Sequence, residues 1–423
     1  MKKYLLLLLG LLALTGAAPT PKANEPPAAP SFPIRAAQIN ELSFDTREEL
    51  GRFFDNLKSA GVNTVIVRVF QNPGDGFYKL CVPASLTGYY FKTSAAPVVC
   101  DVLAVIADEA HKSGLKIFAW ANTRYADYGI ENRSDLHSRY YDFETKSYKP
   151  GRGLCIFQPE VRARLIGIYR DLGRYPIDGV LVQDDLMMKH NEDFSPLAVH
   201  MYYKDRGKIA SPALFYEGVE KRSGKAAVKS YTDDFQDWQD WKASQLLDLA
   251  DKLRESVREQ NPKIMVGCNY YYETGLKPDK GLAWFSQDVK MAAARNFDFY
   301  SLMLYHRQIK DELSTSDDDL LSAVALASDT FISAVPQPLE PLLKLQTKDF
   351  RTSSLVPGEE LERMIRAIPQ RARAGVAFFP VSAGMETELK SLISSWEKND
   401  EKTDHSKPAD PSGPARKLQT EKP

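Results

Sequence analysis

The amino-acid sequence predicts a single closed (β/α)8 barrel of the TIM type, with long loops at its C-terminal face. Three observations predict it. Short β-rich runs alternate with amphipathic helical runs through eight successive units. No glycine-rich dinucleotide or phosphate loop follows any of these runs, which disfavours a Rossmann sheet. Eight units spread over residues 34–398 also fit a closed barrel better than an open doubly wound sheet.

The first strand is read over Ile34 to Leu42. A helix opens at Asp45-Thr46, with Glu48 and Glu49 in its first turn. Leu50, Phe53, Phe54 and Leu57 recur on one face, and Gly61 closes it. Strand two is Thr64 to Phe70, and after a long loop a helix covers Val99 to Lys112, closed by Gly114. Strand three is Leu115 to Asn122. A second long loop leads to a helix starting near Pro159, a residue favoured in a first turn. Strand four is Gly179 to Gln183, followed by a long insertion and a helix from Asp234 to Gln260 that stops at Asn261-Pro262. Strands five and six are Lys263 to Tyr270 and Phe297 to Tyr305. A helix over Asp318 to Ser328 precedes strand seven at Phe331 to Pro336. The helix Glu359 to Arg373 precedes strand eight at Gly375 to Val381, and a last helix runs from Glu386 to Trp396.

Both ends read differently. Met1-Lys2-Lys3, the apolar run Tyr4 to Leu14 and the small residues Thr15 to Ala18 form a signal peptide over residues 1–18. The run is too short to span a bilayer. No cysteine near the cleavage point offers a lipid anchor, and no later stretch is apolar enough to span a membrane. A soluble, periplasmic or secreted chain is expected. Residues 19–33 form a Pro/Ala-rich linker, and the charged, Pro-rich residues 399–423 read as a disordered tail.

Lys and Arg number 55 against 56 Asp and Glu, so the formal charge is -1 and no basic excess exists for nucleic acid. Four cysteines stand at 81, 100, 155 and 268, none in metal-binding C-x-x-C spacing. No metal or other cofactor is expected. Cys81 and Cys100 bracket one irregular loop that a disulfide could close, and Cys268 reads as a buried thiol.

In such a barrel the working residues sit where strands end and the following loops begin. The predicted ends carry Gln38, Asn40 and Glu41, then Arg68 and Gln71, then Trp120, Asn122 and Arg124. Next come Gln183, Asp184 and Asp185, then Asn269 with Tyr270, Tyr271 and Tyr272. Tyr305 and His306, then Gln337 and Glu340, complete the rim. A polar, aromatic mouth with few basic groups suits an uncharged or cationic sugar chain.

Asp184-Asp185 closes an otherwise apolar strand at this rim. Glycosidic cleavage needs one carboxyl group to protonate the leaving oxygen and a second group to supply or steer the nucleophile. Crowded carboxylates also repel, keeping one of them protonated. The plain alternative is an aspartate that caps the next segment or pairs with Arg68 or Arg124. Strand alternation puts Leu181, Gln183 and Asp185 on one face, and the polar Gln183 marks that face as the barrel interior. Asp185 is therefore expected to be the acid, and Asp184 reaches the mouth only if the backbone turns.

Several strings carry a family resemblance: Cys155 to Arg162, Ile168 to Leu172, Tyr175 to Gly179 leading into Asp184-Asp185, Ile117 to Trp120, Asn269-Tyr270, and Trp284 to Gln287 with Met303 and Tyr305. Across about residues 35–385 they resemble the C-terminal hydrolase domain of periplasmic poly-β-1,6-N-acetylglucosamine N-deacetylases of the PgaB type. The resemblance implies a barrel that cleaves partially deacetylated poly-N-acetylglucosamine, with Asp184 and Asp185 on its paired acidic motif. Gln183 stands where that family usually has His, and His190 where it has an acid. No deacetylase domain is expected before Ile34, hence no deacetylation. Substrate-assisted hexosaminidases also carry neighbouring aspartates at this strand. By that likeness Asp184 orients the acetamido group and Asp185 is the acid/base, with Glu340 or Glu41 serving if the sugar is deacetylated.

Arg68, Trp120, Asn122, Gln183, Asn269, Tyr270, Tyr272, Tyr305, His306 and Glu340 are the expected substrate-binding residues. At least one tyrosine of the 270–272 run must instead be core. Trp238 and Trp241, one helical turn apart, read as helix packing. The long loop from Met187 to Ser230 forms a wall, a lid or a packing insertion. The expected activity is an exported glycoside hydrolase with a polysaccharide partner; the rival is a barrel that binds such a polymer without cutting it.

Overall fold

The computed structural model describes residues 33–222, 225–369 and 373–398. The signal-peptide and tail expectations, and most of the linker, fall outside them. Eight parallel strands form a closed barrel. They are β1 (Arg35–Ile39), β2 (Thr64–Arg68), β3 (Lys116–Ala121), β4 (Gly179–Val182), β5 (Met265–Tyr271), β6 (Phe299–Leu304), β7 (Glu340–Gln346) and β8 (Gly375–Phe379). β1 pairs with β2 on one side (Ala36 opposite Thr64) and with β8 on the other (Ala37 opposite Phe378), which closes the ring.

The outer layer contains α1 (Arg47–Ser59), α2 (Leu103–Lys112), α3 (Pro159–Leu172), α4 (Asp233–Gln260), α5 (Pro278–Phe285), α6 (Asp317–Ala334), α7 (Gly358–Ala367) and α8 (Glu386–Lys398). α1 starts as its sequence directs. Thr46 accepts from the Glu49 amide and the Glu49 side chain reaches back, a reciprocal cap, while Leu50, Phe53, Phe54 and Leu57 are buried. On α4, Trp241 stacks on Phe157 at 5.0 Å between ring centres, and Trp238 packs among Phe194, Tyr202 and Phe215. Both tryptophans are packing residues.

The barrel interior is filled by pairing rings with glycines. Phe118 of β3 meets Phe299 of β6 across the lumen at 5.3 Å. A Cβ on Gly179 would stand 2.6 Å from the Phe118 ring, and one on Gly267 would stand 2.5 Å from the Phe299 ring. Small residues on β4 and β5 thus make room for two large ones.

Strand seven departs from expectation. Phe331 to Pro336 is not a strand: through Ala334 it is the end of α6, with Phe331 and Ile332 buried against the barrel. The strand follows instead at Glu340–Gln346, aligned with β6 (Leu342 opposite Ser301) and β8 (Lys344 opposite Ala377). A short β-branched apolar run fits either element, and the true strand hides behind Pro341 and Lys344. α2 also starts later than expected, at Leu103, and α7 ends earlier, at Ala367.

Cys81 and Cys100 are disulfide-bonded with Cα atoms 6.3 Å apart, closing the loop after β2, and Cys155 and Cys268 are buried thiols. Closing a loop of this size restricts the unfolded chain by about 3 kcal/mol. The C81S/C100S double variant is therefore expected to lose ~2–3 kcal/mol in urea unfolding, and non-reducing peptide mapping of the parent to return the linked pair.

Candidate functional site

At the C-terminal mouth of the barrel lies a cavity of about 500 Å³. Its floor and walls come from Trp120, Gln183, Asp184, Tyr271, Met303 and Lys344, with Tyr305 and Phe379 beside them. Asn40, Gln308, Lys348, Asp349, Phe350, Ser353 and Pro380 form the upper wall. A neighbouring hollow of about 410 Å³ shares Gln308, Asp349 and Phe350 with it, so the site continues as a groove along the β7 side of the mouth.

The two aspartates at the end of β4 have separate environments. The strand stops at Val182, and the Leu186 amide donates to the Gln183 carbonyl in a turn. Alternation therefore ends one residue before the carboxylates. Gln183 and Asp184 both face the cavity, while Asp185 turns sideways under the end of β3. There it is 1% exposed, and it accepts from the Thr123 amide, the Thr123 hydroxyl and the Tyr125 amide at 2.8–3.0 Å. Burial pushes its carboxyl up to about 6, against the pull of those donors. Parity reasoning assumed a strand through Asp185; the turn puts Asp184, not Asp185, in the cavity. Arg68 pairs with Asp75 and Arg124 with Glu192, so neither arginine takes the pair.

Asp184 meets two polar side chains. The Asn269 amide donates to it at 3.4 Å, and the charge of Asp184 adds to burial in raising the Tyr271 hydroxyl well above its ordinary range. Lys344 is 1% exposed and donates to the Asn269 carbonyl oxygen at 3.5 Å. Its ammonium stands 5.8, 5.6 and 5.4 Å from the ring centres of Trp120, Tyr305 and Phe379. Burial brings this lysine down to about 7, and the Asp184 carboxylate works against that fall. The second carboxylate on the wall, Asp349, accepts from the Arg351 and Thr352 amides and from Arg307, which hold it below the usual carboxylate range.

Of the expected binding residues, Trp120, Gln183 and Tyr305 line the cavity, and Asn269 contacts Asp184 beneath it. Arg68 is buried inside the barrel, held by Asp75, with no hydrogen-bond partner for Nε and Nη2 among the described residues. Asn122 is a buried pin between the Tyr89 and Tyr128 hydroxyls. The tyrosine run divides by strand parity. Tyr271 faces inward, Tyr270 packs outward near Phe331, and the Tyr272 hydroxyl donates to Glu312. His306 is buried against Glu360 at the start of the short helix His306–Leu313. Glu340 begins β7, so it lies at the opposite end of the barrel, where it accepts from the Ile34 amide and burial raises it to about 7. It cannot serve the mouth. Glu41 is exposed and bonded to Ser43.

Sequence reasoning missed Lys344, Gln308, Asp349, Phe350 and Phe379. The first followed from misplacing strand seven. Its signal is Leu342-Leu343-Lys344-Leu345-Gln346, where polar residues alternate with leucines as an inward polar face requires.

Residues 43–379 match the model of the hypothetical glycosyl hydrolase family 13, GHL13. The chain belongs to this family. As a GHL13 member it is a glycoside hydrolase by family. It is 24% identical over 248 residues to the poly-beta-1,6-N-acetyl-D-glucosamine N-deacetylase of Escherichia coli K12, a match covering 55% of this chain and 32% of that relative. The matched segment thus spans about one third of the relative's length. Among solved structures, the glycoside hydrolase domain of PgaB (BpsB) from Bordetella bronchiseptica superposes with a TM-score of 0.66 at 20% identity, covering 85% of this chain and 99% of that one. The catalytic domain of a Paenibacillus polymyxa beta-amylase superposes with a TM-score of 0.55 at 10% identity, covering 88% and 99%. These likenesses show a GHL13 barrel of the PgaB hydrolase-domain type. No helix among the described residues is long and apolar enough to cross a membrane.

The two aspartates should respond differently to amidation. Asp185→Asn puts an amide donor against the Thr123 and Tyr125 N–H groups, and is expected to cost ~2–3 kcal/mol in urea unfolding. Asp184→Asn is expected to cost less than about 1 kcal/mol in the same measurement, because Asp184 faces the open cavity.

Proposed function

We propose that this chain is an exported glycoside hydrolase that cleaves a β-linked hexosamine polymer, partially deacetylated poly-N-acetylglucosamine, with Asp184 as the carboxylate that meets the sugar. The observation that carries this reading is Asp184 itself: a carboxylate on the floor of an aromatic-walled cavity at the catalytic end of a glycoside-hydrolase-family barrel. Trp120, Tyr305 and Phe379 give the cavity an aromatic wall against which the apolar side of a pyranose ring can pack. The groove past Phe350 leaves room for a chain rather than a single sugar. The apolar run Tyr4 to Leu14 and the Cys81–Cys100 disulfide support export. The polymer named by the Escherichia coli relative supports the substrate class.

In this reading Asp184 accepts the acetamido N–H of the sugar at the cleaved bond. As the acetamido oxygen bonds to the anomeric carbon the glycosidic C–O bond breaks, and the departing oxygen takes a proton from water in the open groove. A second water then adds at the anomeric carbon, breaking the bond to the acetamido oxygen and restoring the acetamide. Asp185 is a positioning residue: it fixes the Thr123–Tyr125 segment beside the cavity through its three donors.

One observation favours a second reading. Both carboxylates on the wall have cationic neighbours, Lys344 beside Asp184 and Arg307 on Asp349, so the cavity sets acceptors beside donors as a sugar-holding site does. A barrel that holds the polymer without cutting it would need no more than this.

The assay is incubation of the full chain with partially deacetylated poly-β-1,6-N-acetylglucosamine, with products read by mass spectrometry. Shorter oligomers are expected from the parent chain, with a loss of at least ~100-fold in Asp184→Asn. Retention of polymer without shorter products would establish the binding barrel instead. Equal cleavage by the parent and Asp184→Asn would remove Asp184 from the chemistry.

A further inference from the structure

Lys344 is the one buried cation on the wall of the cavity among the described residues. A lysine ammonium has three N–H donors, and burial without partners is costly, so a buried lysine is held by acceptors or meets a ligand. The only side-chain acceptor bonded to Lys344 among the described residues is the Asn269 carbonyl oxygen, at the long distance of 3.5 Å. Trp120 on β3, Tyr305 after β6 and Phe379 on β8 offer it ring faces. Ring faces attract the charge but leave the N–H groups unsatisfied. From the remaining elements it faces Asp184 after β4, and Tyr271 on β5, Lys348 and Asp349 after β7 share its cavity.

From this geometry we infer that Lys344 is a substrate-binding residue, donating to an oxygen of the sugar that occupies the floor of the cavity beside Asp184. The ligand chemistry is a hydrogen-bond acceptor, a hydroxyl or an amide carbonyl. Asp184 and Lys344 then grip one sugar from two sides, acceptor and donor, with Asn269 bridging them beneath. The inference rests on reading the cavity as a sugar site, but it does not require that the sugar be cut.

Burial brings Lys344 down to about 7, so its charge is present at pH 6 and lost by pH 9. The probe is a fully N-acetylated β-1,6-linked N-acetylglucosamine oligomer, which carries no titrating group in this range. Its binding to the full chain is followed by tryptophan fluorescence or calorimetry between pH 6.5 and 9. The parent chain is expected to lose at least tenfold in affinity across this window. Lys344→Met and Lys344→Gln are expected to bind at least tenfold more weakly than the parent at pH 6.5, with no further loss as pH rises. Circular dichroism and melting of both variants confirm that they fold, and methionine fills much of the volume of lysine without a charge.

Variants that bind as the parent does, or that keep its alkaline loss, would overturn the inference, as would a parent whose affinity is flat with pH. A parent that binds no oligomer at any pH overturns the inference and leaves the polymer reading to the cleavage assay. Product analysis of the parent and Lys344→Met with the partially deacetylated polymer keeps the two separate. Lysine-dependent binding without products sinks the hydrolase and leaves Lys344 in its role. Products formed equally by the parent and Lys344→Met do the reverse.

Discussion

The pairing of β1 with β8 is the constraint on which the rest of the molecule depends. An open parallel sheet leaves two edges of unpaired N–H and C=O groups, and closure removes both. In this chain Ala36 and Ala37 sit at the seam, between Thr64 and Val65 of β2 and Ala377 and Phe378 of β8. Closure also creates an interior that only inward side chains can fill. Phe118 and Phe299 fill the lower part over Gly179 and Gly267. Above them the interior turns polar, with Gln38, Arg68, Asn269 and Lys344 buried and Trp120 and Phe379 in edge contact at 5.5 Å. That change from rings and glycines to polar groups is what makes one end of the barrel a cavity.

The chemistry then depends on where β4 stops. Continuing the strand by three residues would have sent Asp185 inward and Asp184 into the helical layer. Ending it at Val182 reverses their roles: one carboxylate is spent on holding the Thr123–Tyr125 segment, and the other is freed for the cavity. A buried carboxylate with three donors is a rigid joint between adjacent loops, since losing any donor leaves a charge uncompensated. The two adjacent acids are therefore one buried anchor and one carboxylate that faces the cavity.

Much of this was legible in the residues. Alternating runs, capped helices and a polar rim were enough for the barrel and for Trp120, Gln183, Asn269 and Tyr305. Three places were not legible, each for a local reason. Strand seven was lost because Phe331 and Ile332 look as strand-like at the end of α6 as they would in a sheet, while Glu340–Gln346 carries a proline and a lysine. Glu340 then inherited a place at the wrong end of the barrel. The exit from β4 turned on a single backbone turn, which residue alternation does not encode. The tyrosine run was resolved by register: Asn269 and Tyr271 share the inward face, so Tyr270 could not.

The two departures from the family resemblance differ in what they touch. Gln183 is on the cavity wall, so the change from histidine alters what the cavity presents. His190 is not. It lies among the rings of Phe143, Tyr216 and Tyr231, with Nδ1 at 2.9 Å from the Tyr231 hydroxyl, and burial brings it down to about 4. It is therefore neutral under ordinary conditions. Beside it Arg124 and Lys242 are buried with Glu192 and Asp193, two cations against two carboxylates, and Lys242 donates to the Lys189 and Glu192 carbonyls. The charges that act on position 190 are Lys242 and Lys189 against Glu192, which together with burial disfavour the imidazolium. The neutral histidine bonds to Tyr231 and packs on Phe143, which ties the loop after β4 to its neighbours. The substitution at 190 is thus a matter of how this loop is supported, and only the one at 183 lies on the cavity wall.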